Sequence, residues 1–163
     1  MKIYTATSWK NEAFIKRLAI ILRTYGHDVY CFAEQGAGQH VFMWPDVVDP
    51  EDDGISCLHN WNSRKAFDID FKHLNDCDAV ILYNPCGRDA HLEAGYAKGK
   101  GKLLYILGSW PKGEYSNMYH MADGLFRIYR IVPDPDAIDA SLIEQLKLRE
   151  TKYAIPGPAD HKK

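Results

Sequence analysis

The run Asp78–Asn84, DAVILYN, is apolar at almost every position instead of at every second one. A strand with one wet face alternates; an unbroken apolar strand needs cover on both faces, the signature of a parallel sheet between helices. Lys102–Leu107 (KLLYIL) has the same character, and shorter β-rich runs at Lys2–Thr7, Asp28–Ala33 and Gly124–Val132 supply three more strands. Helical spacing fills the intervals. Asn11–Tyr25 carries Phe14, Leu18, Ile21, Leu22 and Tyr25 along one stripe, with Asn11 placed to cap its start and Gly26 its end. Ala66–Cys77 sets Phe67, Phe71 and Leu74 on one face; Asp89–Gly99, opened by Asp89 as N-cap, Tyr115–Ala122 and Ala137–Glu150 complete the helices. This alternation predicts one α/β domain over residues 1–152, with a Rossmann- or flavodoxin-like five-stranded parallel sheet in the order 2-1-3-4-5 and helices on both faces. Residues 153–163 form a Pro/Gly/Lys tail expected to be mobile. The stretch Glu34–Ser63, with Phe42, Trp44 and Trp61 among its glycines and prolines, is read as a long loop.

Composition removes several classes of function. Twenty basic against 22 acidic side chains leave a net charge of −2, so no global field exists to hold a nucleic acid polymer or an anionic membrane. The longest apolar runs are strand-sized, too short to span a bilayer. Met1-Lys2-Ile3-Tyr4 enters a strand at once, with no signal-peptide pattern, and Cys31, Cys57, Cys77 and Cys86 are widely spaced with no CxxC. The expectation is a cytoplasmic protein with reduced thiols.

In a sheet of this order a ligand sits beyond the carboxyl ends of the strands, where strands one and three diverge. That brings Thr5–Trp9 beside Asn84–Asp89. The latter leads into a helix carrying Glu93, placed in or just after the first turn and facing the crevice. A helix N-terminus favours a carboxylate by about 0.3–1 kcal/mol, which predicts an ionised Glu93 at neutral pH, suited to a nucleophile or electrostatic stabiliser. The alternative is a solvent-facing glutamate that only complements the dipole. Ala94, Gly95 and Ala97 are small residues that let this helix approach the sheet closely.

Three motifs, KIYTATSW at the start, D-x-x-x-L-x-x-x-D at Asp70–Asp78 and PCGRDAHLEAGYAKGKGK at Pro85–Lys102, resemble the nucleoside 2-deoxyribosyltransferase superfamily, which includes 2′-deoxynucleoside 5′-phosphate N-hydrolases. The resemblance implies a glutamate nucleophile at C1′ of a deoxyribose, Glu93 by position. It implies that Tyr4 orients this glutamate, that Asp70 stands near the nucleobase, and that Trp9 flanks sugar or base. Asn117 and Met118 look similar to a loop that a neighbouring subunit lends to the sugar 5′-hydroxyl, which implies a homo-oligomer, a dimer or larger. The partner is a small-molecule nucleoside or nucleotide, with no cofactor and no metal. Six positions before the nucleophile, where transferases often carry an acid and phosphate-preferring hydrolases a serine, this chain has Gly87. Asp89 could substitute for that acid or only cap the helix, and Arg88 could bind a 5′-phosphate.

The chemistry is sensible in its own right: the pair that the resemblance implies, Glu93 and Asp70, supplies the two carboxyl groups that glycosidic cleavage demands. One captures an oxocarbenium-like carbon while the other protonates the departing base. Competing signals are weaker. Cys57-x-His59, His40, Cys86 and His91 have no recognised zinc spacing. Cys86 near a helix N-terminus is a conceivable nucleophile but reads better as a loop thiol. Phe42, Trp44 and Trp61 could stack a base or anchor the loop. No phosphate-loop or dinucleotide fingerprint is present, since Gly36-Ala37-Gly38 follows the second strand. The rival class is a non-catalytic nucleotide-sensing module on the same scaffold; a receiver-like domain is less favoured because strand one lacks an acidic cluster.

Overall fold

A computed structural model describes residues 1–35, 56–109 and 116–127. Five parallel strands form one sheet: β1 (Lys2–Ala6), β2 (Asp28–Cys31), β3 (Ala79–Asn84), β4 (Leu103–Gly108) and β5 (Gly124–Arg127), in the order β2-β1-β3-β4-β5. This is the order expected from the sequence. Period-two alternation in each strand then splits the core into two layers. Ile3, Val29, Ile81, Tyr83, Leu107 and Phe126 pack with Ile15, Leu18, Ala19 and Leu22 of α1 (Glu12–Thr24). Tyr4, Ala6, Val80, Leu82, Leu104 and Ile106 face the other way, toward Leu74 of α2 (Trp61–Asp76) and Ala90, Ala94 and Ala97 of α3 (Arg88–Gly99). Of the small residues expected to pack closely, Ala94 and Ala97 are buried with Ala90, whereas Gly95 is exposed. A Cβ at Gly95 would meet nothing within 4 Å, so close packing is not the reason for that glycine.

Polar contacts fix α2 and α3 relative to each other and to the strands. The Tyr96 hydroxyl donates to Asn75 Oδ1 at 2.7 Å. Lys98 pairs with Asp123 at 2.8 Å, and Asp123 also accepts the Leu104 amide at 2.7 Å. Lys102 Nζ donates to the Asn75 carbonyl at 2.7 Å and to that of Cys77 at 2.5 Å, closing the end of α2 onto the start of β4.

Some boundaries differ from the sequence reading. Helix α2 begins at Trp61, not Ala66, because the Asn60 side chain accepts the Asn62 amide at 2.8 Å and caps it. Trp61 is thus a helix residue, 75% exposed, and not part of a loop. Helix α3 begins at Arg88 with Gly87 as its N-cap residue in extended conformation, so Asp89 lies within the first turn and is not the cap. Tyr115–Ala122, expected as a short helix, holds a 3-10 turn at Asn117–Met121. Phe42, Trp44, the continuation of β5 to Val132, the helix Ala137–Glu150 and the tail 153–163 lie outside the described residues.

Candidate active site

At the divergence of β1 and β3 the connections are pinned by side chains. The Thr7 hydroxyl donates to the Tyr83 carbonyl at 2.7 Å. Asn11 precedes α1 but makes no capping bond; its amide nitrogen instead donates to Thr7 Oγ1 at 2.7 Å and to the Pro85 carbonyl at 2.8 Å. The Asn84–Pro85 peptide is cis. Gly108, at the end of β4, has φ +120°, and a Cβ there would lie 2.0 Å from the Asn84 carbonyl oxygen, so only glycine lets the two strand ends approach.

Two carboxyl groups are gathered on the face covered by α2 and α3, each held by a tyrosine. The parallel register pairs Tyr4 of β1 with Tyr30 of β2, so the two rings stand on the same face and stack at 5.3 Å. The Tyr4 hydroxyl donates to Glu93 Oε1 of α3 at 2.9 Å. The Tyr30 hydroxyl donates to Asp70 Oδ1 of α2 at 2.6 Å, and Gln35 Nε2 donates to the same oxygen at 2.8 Å. His73, one turn beyond Asp70, stacks on the outer face of Tyr30 with centroids 3.9 Å apart.

Electrostatics follow from this crowding. Burial pushes the Glu93 carboxyl up to about 8; the Tyr4 hydrogen bond acts against that, and the charges of Asp70 and Asp89 add to it. An ionised Glu93 at neutral pH is therefore not what the structure gives. It is the sixth residue of α3, past the turn where the dipole is effective, and the dipole's ~0.3–1 kcal/mol is outweighed by desolvation. Burial also raises Asp70 from its ordinary value, opposed by hydrogen bonds from Tyr30 and Gln35 and by the charge of His73. Both phenols are raised well above their ordinary value, mainly by burial, so they remain donors across the working pH range.

Among the other sequence-selected residues, Asp89 acts on this pair through its charge on Glu93. Gly87, Arg88 and Asp89 are exposed at the start of α3. Trp9 is half-buried and packs edge-on against Phe32 at 4.8 Å, with the core on the α1 side. Asn117 and Met118 are exposed in the 3-10 turn that follows β4. That turn is tied to the site's rim by Tyr119. Its oxygen accepts from Asn84 Nδ2 at 3.0 Å and lies 2.8 Å from His91 Nε2, while His91 Nδ1 lies 3.0 Å from the Gly87 carbonyl. With Nδ1–H donating to the Gly87 carbonyl, Nε2 accepts from the Tyr119 hydroxyl. Cys86 donates to Asn84 Oδ1 at 3.1 Å, and burial lifts its thiol to about 12, which argues against a thiolate nucleophile. Among the described residues all four cysteines are free, no group of three His, Cys, Asp or Glu side chains could hold a metal ion, and no helix is long and apolar enough to cross a membrane.

Sequence reasoning did not single out Tyr30 or Gln35. A signal for Tyr30 was present: Lys2-Ile3-Tyr4 and Asp28-Val29-Tyr30 place tyrosine third in each of two neighbouring strands.

Comparison with solved structures adds the fold's relatives. The Clostridium botulinum CMP N-glycosidase BcmB superposes with a TM-score of 0.52 at 18% identity, over 91% of this chain and 98% of that one. The 2-deoxyribosyltransferase from Bacillus psychrosaccharolyticus does so with a TM-score of 0.55 at 18% identity, over 88% of this chain and 96% of that one. The chain shares its fold with both. Glu93, Tyr4 and Asp70, selected by motif, stand within that fold on one face of the sheet. No protein-family model matches the chain, and no curated protein matches it.

Proposed function

We propose that this protein cleaves or transfers the N-glycosidic bond of a 2′-deoxynucleoside or its 5′-monophosphate, with Glu93 as nucleophile, Tyr4 as the donor that orients it and Asp70 as proton donor to the departing base. The observation that carries the reading is the pair of partly buried carboxyl groups on one face, each gripped by its own phenol. The likeness in fold to an N-glycosidase and a deoxyribosyltransferase supports the reaction class.

In the first step a Glu93 carboxylate oxygen bonds to C1′ as the C1′–N bond breaks. The bonding pair leaves on the base nitrogen, which takes the proton from Asp70. In the second step water or another base attacks C1′ and gives its proton to the Asp70 carboxylate, and Glu93 departs as a carboxylate. The cycle thus needs the pair to carry one proton, resting on Asp70 when the bond breaks. The charge of Asp70 adds to the burial that raises Glu93, so the pair holds its last proton up to about pH 8.

The raised Glu93 favours a second reading in which roles are exchanged. Protonated Glu93 would then serve as acid, and Asp70 would activate water for one-step hydrolysis.

The test is chromatography of the protein incubated with 2′-deoxynucleosides and their 5′-monophosphates, with and without a competing free base. Release of base is expected, and a new nucleoside in the competing-base samples would assign transfer. Tight binding without any product across the panel would contradict the proposal and favour a sensing module.

A further inference from the structure

We infer that Tyr30, a residue outside the three resemblance motifs, is the positioning residue for the proton-donating carboxyl group: by holding Asp70 through Oδ1, it leaves Oδ2 as the oxygen that carries and delivers the proton. The inference rests on the proposed role of Asp70 and adds the device that directs it.

Both hydrogen bonds that reach Asp70 among the described residues, from Tyr30 and from Gln35, end on Oδ1. A carboxyl oxygen that accepts two donors is a poor site for a proton, so protonation falls on the other oxygen. The donor is itself fixed. The Tyr30 ring is clamped between Tyr4 at 5.3 Å and His73 at 3.9 Å, which leaves its hydroxyl little freedom to point elsewhere. Its backbone is locked by the β1–β2 register, the same register that sets Tyr4 against Glu93. The arrangement is a matched pair: one phenol per carboxyl group, from neighbouring strands, aimed at neighbouring helices.

The groups facing Asp70 from the surrounding elements are Tyr4 on β1, Tyr30 on β2, His73 on its own helix and Glu93 on α3, with Asp89 acting on Glu93. A donor to the ionised form lowers a carboxyl pKa, so removing the Tyr30 hydroxyl lets Asp70 protonate at higher pH. The dead, doubly protonated pair then also forms at higher pH. Tyr4→Phe acts on the other member and raises Glu93.

The test compares Tyr30→Phe, Tyr4→Phe and Gln35→Ala with the unmutated enzyme. For Tyr30→Phe the acid limb of kcat/KM is expected to move up by about one pH unit. Its kcat should fall about tenfold or more with KM within about threefold, as for a misplaced proton donor. Gln35→Ala should move the same limb in the same direction, a check that survives if Tyr30→Phe fails to fold. Tyr4→Phe should move the alkaline limb instead. A turnover-independent readout is the 13C titration of the Asp70 carboxyl, assigned with Asp70→Asn, which should shift up by about one unit in Tyr30→Phe. An unmoved acid limb and an unmoved titration would overturn the inference and leave Tyr30 a packing residue. Absence of turnover in the unmutated protein would defeat the proposed function, while the titration would still decide whether Tyr30 governs the Asp70 proton.

Discussion

Replacing Glu93 with glutamine is expected to lower kcat/KM by on the order of 10³–10⁶-fold, the range seen when a covalent nucleophile is removed from an otherwise intact site. Glutamine keeps an oxygen to accept the Tyr4 hydroxyl, so the hydrogen bond and the packing of α3 are preserved. The same substitution should stabilise the protein at alkaline pH. The folded Glu93 carboxyl sits at about 8, above its ordinary 4.5, so the folded state holds a proton that the unfolded chain has released. Wild-type stability therefore declines as pH rises from about 4.5 to about 8, and the penalty is complete above that window. Glutamine does not ionise and escapes it. The melting temperature of Glu93→Gln relative to wild type should climb between pH 5 and pH 9, by about 2–4 °C for each ~1 kcal/mol of relief in a chain of this size. A variant that is destabilised yet active would remove Glu93 from the chemistry.

Substituting Asp70 by asparagine should change the shape of the pH profile as well as its height. With both carboxyl groups present, kcat/KM for a substrate whose base does not titrate should be bell-shaped. It falls above about 8 as the pair loses its last proton, and falls in acid as both groups become protonated. In Asp70→Asn only Glu93 titrates, and its pKa drops because the neighbouring charge is gone. Activity should be reduced by about 10²–10⁴-fold, the usual contribution of a positioned acid. What remains should rise with pH to a plateau, since an ionised Glu93 is then the only requirement. Retention of the alkaline fall would mean that Glu93 acts as an acid, and the exchanged-role hydrolysis would replace the two-step reading.

Much of this arrangement was legible from the chain itself. The unbroken apolar run at Ala79–Asn84 announced a sheet covered on both faces, and the alternation of elements gave its order, because right-handed crossovers leave few other choices. Ala94 and Ala97 marked the buried side of α3, and with it the side from which Glu93 meets Tyr4, whereas Gly95, read with them, faces outward. Two things were not legible. The protonation state of Glu93 depends on desolvation and on the charge of a residue from another helix, neither of which is encoded in its local sequence. The local cue, a nearby helix N-terminus, was real but small. The start of α2 was missed because Asn60 caps a turn whose first residues, Trp61, Asn62 and Ser63, have little helix propensity; tertiary packing and the cap decide it.

The central claim is that Glu93 forms a covalent bond to the sugar. The most direct measurement is mass spectrometry of acid-quenched protein after reaction with a 2′-fluorinated 2′-deoxynucleoside, since fluorine next to C1′ disfavours the oxocarbenium-like transition state and slows release of the intermediate. The expected result is a mass increase equal to the fluorinated sugar, on the peptide containing Glu93 and absent from Glu93→Gln. Base release by the unmutated protein with no adduct at any time point, or an adduct on another residue, would contradict the account.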